Sequence, residues 1–168
     1  MSKYKAFNGP FPTTAAQASV ATGATIKTML QLKATSGLII TGWGYSLDTA
    51  DTTAAATVEL VETDVAATVT AFAAGDVTAL ATPSLASSLT LGTAASGYTA
   101  SAEGTITATD MFDAVKLPIG AAASPQQGIY TRQFLKDERP YLPAGKFLRV
   151  RATMGVTMGM ICWISWME

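Results

Sequence analysis

Two pairs of carboxylates are the first residues of this sequence that could do chemistry. Asp48 and Asp51 flank a polar turn, and Glu62 and Asp64 end an apolar-rich segment. Paired carboxylates can contribute to a Ca²⁺ site, which needs about six to eight oxygen ligands, or act as the acid and base of a glycosidase. Neither pair supplies a full ligand set, and aspartates at turns commonly accept hydrogen bonds from their own backbone. We therefore expect turn-forming carboxylates here.

Other chemistry-bearing residues are scarce. The sequence has no histidine, which removes Ser-His-Asp and Cys-His catalysis and the usual zinc sites. Its single cysteine, Cys162, lies in the most apolar stretch, where a buried and inert thiol is expected. No GxxxxGK[ST] phosphate loop occurs, and the glycines at 42 and 44 lack the third glycine of a dinucleotide fingerprint. These features predict a protein that is not an enzyme and has no cofactor or metal site.

Two residue pairs have binding alternatives. Trp43 and Tyr45 could form a platform for a carbohydrate, but they share a strand face with Ile39, which favours the core. Arg149 and Arg151 alternate with apolar residues. They either lie in solvent on an exposed face or receive a partner's carboxylates, and the sequence does not separate these two interpretations.

Composition limits the classes of partner. Hydrophobic residues make up 49% of the 168-residue chain and charged residues 14%, below the roughly 25% of soluble domains. A formal net charge of −1 predicts no nucleic-acid partner and no anionic-membrane partner. The first residues lead into no apolar run, so we expect no secretory signal, and the apolar stretch at 154–167 is too short to span a bilayer. We expect a soluble protein that is made in a cytoplasm.

Short segments with alternating apolar residues, separated by turns, predict an all-β fold. The predicted strands are 26–33, 38–47, 57–62, 104–109 with 111–117 as one long or two short strands, 129–135, 147–153 and 158–168. A short helix is predicted within 65–80 and a long loop over 81–103, and a glycine turn near 155 predicts that the last two strands form a hairpin. The glycines at 42 and 44 indicate a bulge or the close approach of another backbone. We predict a two-sheet antiparallel sandwich, or jelly roll, as one domain over 25–168.

Residues 1–24 are predicted to form an extended N-terminal arm. Tyr4, Phe7 and Phe11 are spaced through this segment, and Gly9, Pro10 and Pro12 oppose both a helix and a central strand. The aromatic side chains either pack against the parent domain or insert into a partner.

The C-terminal strand has apolar residues on both faces. Met158, Met160, Cys162, Ile164 and Trp166 occupy one parity, and Ile161, Trp163 and Met167 occupy the other. A strand at a wet surface would instead alternate apolar with polar residues. We therefore predict that one of Trp163 and Trp166 lies in the core while the other lies at a contact with another subunit, together with Met160.

Several stretches resemble small virion proteins of tailed bacteriophages, particularly those of actinobacterial hosts. These are WGYSLD at 43–48, VELVETDVAATVT at 58–70, LGTAASGY at 91–98 with EGTITAT at 103–109, and FLRVR at 147–151. The resemblance covers most of 25–168 and omits the arm.

The resemblance implies a capsid decoration, or cement, protein. Such a protein is expected to be a jelly-roll homotrimer on the outer face of the head, in the virion, with the major capsid protein as its partner and no catalytic residues. Tyr4, Phe7 and Phe11 are then the candidate capsid interface, and Met160, Trp163 and Trp166 the candidate subunit interface. A tail or fibre component that binds a receptor or carbohydrate has a similar sequence texture and is the alternative.

Overall fold

The computed structural model describes residues 1–80, 85–120 and 128–168. These residues form thirteen strands and two single-turn 3-10 helices, Ala74–Asp76 and Lys136–Glu138. The strands, in chain order, are β1 (Lys3–Phe7), β2 (Val20–Ala21), β3 (Lys27–Lys33), β4 (Leu38–Leu47), β5 (Ala56–Thr63), β6 (Thr68–Ala71), β7 (Val77–Ala79), β8 (Gly97–Ala102), β9 (Thr109–Leu117), β10 (Ile129–Gln133), β11 (Tyr141–Leu142), β12 (Phe147–Thr153) and β13 (Gly159–Met167).

The strands form two antiparallel sheets that pack face to face. Sheet I has the order β10-β4-β13-β1-β7, with β11 paired to β4 and β2 paired to β13. Sheet II has the order β6-β8-β3-β12-β5-β9. The predicted all-β, two-sheet antiparallel sandwich is confirmed.

One core fills the space between the sheets. Met160, Cys162, Ile164 and Trp166, which share one parity of β13, are fully buried in it. Strand β12 contributes every second side chain to this core, and Leu148 is the first of them. Burying one such large apolar side chain contributes about 1.5–3 kcal/mol, so the two central strands account for much of the stability.

The N-terminal segment differs from the predicted arm, because β1 is an integral strand of sheet I. It pairs along its whole length with β13 and on its other edge with β7. Tyr4 is 1% exposed and stacks on Trp166 with 5.8 Å between ring centroids. The alternation of Lys3 and Lys5 with Tyr4 and Ala6 sends the two apolar side chains inward. Irregular backbone begins at residue 8, and Val20–Ala21 again pairs with β13.

The segment 65–109 also departs from prediction. The predicted helix within 65–80 is replaced by β6, one 3-10 turn and β7, because β-branched threonines and valines favour strand when a sheet edge is available. Strand β8 lies inside the predicted loop 81–103, of which 81–84 fall outside the described residues. The predicted strand at 104–109 is irregular up to Thr109.

The last two strands do not form the predicted hairpin. Strand β12 lies between β3 and β5 in sheet II, whereas β13 lies between β4 and β1 in sheet I. The short connection through Gly155 therefore crosses from one sheet to the other. A tight glycine-containing connection is compatible with both arrangements, and the choice depends on partners far away in sequence.

Candidate functional site

The outer faces of the two sheets differ, because loops of the same chain cover the outer face of sheet II. Gln31 of β3 points away from the core but is fully buried. Its side-chain carbonyl accepts a hydrogen bond from the Ala67 N–H at 2.8 Å, and its amide donates to the carbonyls of Ala67 and Ala95. The segments that carry these two alanines therefore lie over the centre of sheet II.

Arg149 extends the same cover. Its side chain is 0% exposed and donates to the Glu103 carbonyl at 3.0 Å, to the Glu103 carboxylate at 3.3 Å and to the carbonyl of Val65. Burial lowers the pKa of Arg149 to about 10. Glu103 also accepts hydrogen bonds from the backbone N–H and the hydroxyl of Thr28. Arg151 pairs with Glu59 at 2.6 Å, so both arginines of β12 have partners within the chain.

The outer face of sheet I is open. Phe7 of β1 lies directly beside Trp163 of β13, and both side chains are partly exposed together with Ile161. The indole of Trp163 lies against Gly44 of the next strand. A Cβ atom on Gly44 would lie 2.9 Å from the Trp163 Nε1 and 2.6 Å from the Tyr130 carbonyl oxygen. The predicted close approach of a backbone at this glycine is confirmed.

A lysine organises the aromatic side chains of this face. The Lys5 ammonium lies 4.1 Å from the ring centroid of Trp163 and 4.8 Å from that of Phe7. Phe7 in turn packs edge-to-face on Phe11 at 5.9 Å. Burial lowers the pKa of Lys5. A cation over an aromatic face is attracted by the ring quadrupole, so Lys5 holds Phe7 and Trp163 as one unit, called the aromatic–lysine patch below.

A groove of about 420 Å³ adjoins the aromatic–lysine patch. Its lining includes three cationic residues, Lys3, Lys5 and Arg139, beside Trp163 and Gln133. Within residues 1–80, 85–120 and 128–168, none of the three cations has a carboxylate within 4.0 Å. The Nε of Arg139 is buried and has no hydrogen-bond partner there.

The structure separates the predicted interface residues into two groups. Phe7, Phe11 and Trp163 lie together on the open face. The other three predicted interface residues are buried in the core of this chain. They are Tyr4, Met160 and Trp166. Their side chains point inward on their strands, so the prediction that these three form interfaces is wrong. Of Trp163 and Trp166, one of which was predicted to lie in the core, the buried residue is Trp166.

The cationic residues of the groove were not predicted from the sequence. Lys3 and Lys5 alternate with Tyr4, which would have revealed an outward face if β1 had been recognised as a strand. Arg139 reaches the groove from a turn, and no local pattern indicates this.

Asp51 stabilises a turn, as expected, whereas Glu62 lies within strand β5. One oxygen of Asp51 accepts from the backbone N–H groups of Thr53 and Ala54, and the other accepts from those of Gly155 and Val156. Burial alone would raise the pKa of Asp51, but these hydrogen bonds outweigh it and hold the pKa well below its usual range. In the part of the chain that the structure describes, no group of three or more histidine, cysteine or acidic residues could hold a metal ion.

Trp43 and Tyr45 are buried in the core, so they form no carbohydrate platform. The indole N–H of Trp43 donates to Asp113 of β9 at 2.9 Å. The same carboxylate accepts from the Tyr130 hydroxyl and pairs with Arg132 at 2.9 Å, and it thereby links one edge of sheet I to one edge of sheet II.

Comparison with protein-family models, curated proteins and solved structures finds no match to this chain. No helix among the described residues is long and apolar enough to cross a membrane.

Proposed function

We propose that this chain is a structural virion protein that binds the outer surface of a tailed-phage capsid, stabilises it and performs no catalysis. The observation that carries the proposal is the difference between the two outer faces. The chain covers sheet II with its own loops, while sheet I presents the aromatic–lysine patch to solvent. An aromatic cluster on an exposed sheet face is typical of the centre of a protein–protein interface.

The sequence resemblance and the low charge content support the same function. Phe7, predicted at the capsid contact, and Trp163, predicted at the subunit contact, are paired neighbours. One surface therefore contains residues from both predicted interfaces, and we assign it to the capsid. The homotrimer implied by the resemblance belongs to the proposal, and its test is a solution mass near three times 17.4 kDa by light scattering.

A carbohydrate-binding tail or fibre component is less well supported. A sugar needs a free aromatic face on which to stack. Trp43 and Tyr45 are buried, and the ring of Trp163 has Lys5 over it and Gly44 against it. These contacts weigh against stacking of a sugar on any of the three rings.

Co-sedimentation with phage heads that lack the protein tests the proposal. We expect the wild-type chain to sediment with heads and the double variant Phe7→Ala/Trp163→Ala to remain in the supernatant. The matched control is Ile129→Ala, which removes an apolar side chain that is 80% exposed at the edge of the same sheet. Wild-type protein that does not bind heads, or an antibody that labels tails in intact particles, would overturn the proposal.

A further inference from the structure

We infer that the groove beside Trp163 binds an acidic, extended protein segment, whose carboxylates pair with Lys3, Lys5 and Arg139. The identification of this segment as part of the capsid shell rests on the function proposed above. The chemistry of the groove can be tested without it.

The arginines differ in whether a carboxylate of the chain pairs with them. Arg132, Arg149 and Arg151 each pair with a carboxylate, whereas Arg139 has none within 4.0 Å among the described residues. Its Nε, like those of the paired Arg149 and Arg151, is buried without a hydrogen-bond partner, while the side chain as a whole is partly exposed in the groove. A carboxylate is the acceptor whose geometry best matches a guanidinium that lacks an anionic partner.

The neighbouring cations also favour an acidic ligand. Lys5 lies in the same groove with its pKa lowered by burial, and Lys3 lies two residues before it on the same strand face. An incoming carboxylate would stabilise the charged form of Lys5. Apolar side chains line the groove as well, notably Phe134 and Leu80, so a segment with alternating acidic and apolar residues matches it better than a free anion.

The contacts favour a protein segment over other polyanions. A sulfated glycan would use the cations, but Lys5 lies over the Trp163 ring on which a sugar would stack. A nucleic acid would meet a chain with net charge −1 and only a local cationic cluster.

Fluorescence anisotropy on the full chain tests this inference. The probe is a labelled peptide of alternating glutamate and leucine, compared with the same peptide carrying glutamine. We expect the acidic peptide to bind more tightly and its affinity to fall as salt is raised. Arg139→Gln should weaken binding roughly three- to fivefold, Lys5→Gln/Arg139→Gln about tenfold, and Arg139→Lys should restore part of it.

The matched control is Lys116→Gln, which removes one positive charge from an exposed position on sheet II. It should leave binding unchanged, and thermal unfolding of each variant should show that the fold is intact. Equal affinity for the two peptides, an equal effect of the control, or tighter binding of heparin would overturn the inference. Self-association that Arg139→Gln abolishes would assign the groove to a second copy of this chain and would also overturn it.

Co-sedimentation with heads separates the two proposals. If wild-type protein and Lys5→Gln/Arg139→Gln bind heads equally, the inference is wrong and the proposed function stands. If the acidic peptide binds in an Arg139-dependent way while wild-type protein does not bind heads, the groove chemistry stands and the proposed function is wrong.

Discussion

Removal of the Glu103 carboxylate should destabilise the protein far more than removal of a typical surface charge. In Glu103→Ala, Arg149 remains buried at 0% exposure without its counter-charge, and Thr28 loses the acceptor of its backbone N–H. Breaking a buried ion pair on one side costs about 3–5 kcal/mol. Because the Glu103 side chain is 23% exposed, water can replace part of the lost interaction, so we expect a loss of about 3 kcal/mol. That is a large fraction of the roughly 5–15 kcal/mol that holds a domain folded.

Urea unfolding followed by tryptophan fluorescence measures this loss. The control is Glu59→Ala, which breaks the pair with Arg151 on the same sheet, where both side chains are 12% exposed. We expect a smaller loss of about 1–2 kcal/mol there, because Arg151 is 12% exposed, unlike Arg149, and water can reach its guanidinium. Adding Arg149→Met to Glu103→Ala should recover part of the stability, because it removes the uncompensated buried charge. A loss below about 1 kcal/mol in Glu103→Ala, or a further loss in the double variant, would refute this account of the cover on sheet II.

Three further predictions concern other parts of the fold. Asp51→Asn should be less stable than wild type at neutral pH, because the hydrogen bonds that depress the pKa of Asp51 stabilise its ionised form. The difference in unfolding free energy between the two proteins should narrow as pH falls below about 4. Urea midpoints that differ by the same amount at every pH would contradict this. Cys162 is fully buried and burial raises its pKa, so a thiol reagent should label it only under unfolding conditions, and comparable labelling in native protein would contradict its placement. Gly44→Ala places a Cβ 2.6 Å from the Tyr130 carbonyl oxygen and should lower the free energy of unfolding in urea by about 1–3 kcal/mol. Gly75→Ala is the control, because a Cβ there has nothing within 4 Å. Equal effects of the two substitutions would show that the close approach at Gly44 does not matter.

Strands with unbroken alternation were predictable from the sequence. In β12 one parity is apolar without exception, and the period of two alone places Leu148 in the core. Both parities of β13 contain apolar residues, so the period did not decide which of Trp163 and Trp166 lies inside. The glycines on either side of Trp43 likewise predicted a bulge or the close approach of another backbone. A backbone carbonyl of the neighbouring strand lies there.

Features that depend on distant partners were not predictable. Strand β1 has only five residues, and its pairing of Tyr4 with Trp166 is set by the opposite end of the chain. Arg149 could be placed on an outer face, but its burial depends on Glu103 and Val65, which come from two other connections. The aromatic–lysine patch was only partly predictable, since Trp163 was one of two candidates for the outward position and Lys5 required the β1 pairing.

The pairing of β1 with β13 also has a consequence for biosynthesis. Sheet I cannot place β1 between two neighbours until residues up to 167 have left the ribosome exit tunnel. Closing so long a loop carries a large entropy cost before any contact forms, which slows folding. Sheet I should therefore be completed only after β13 has left the tunnel. Until then its first strand has no β13 partner and is open to premature pairing with other nascent chains.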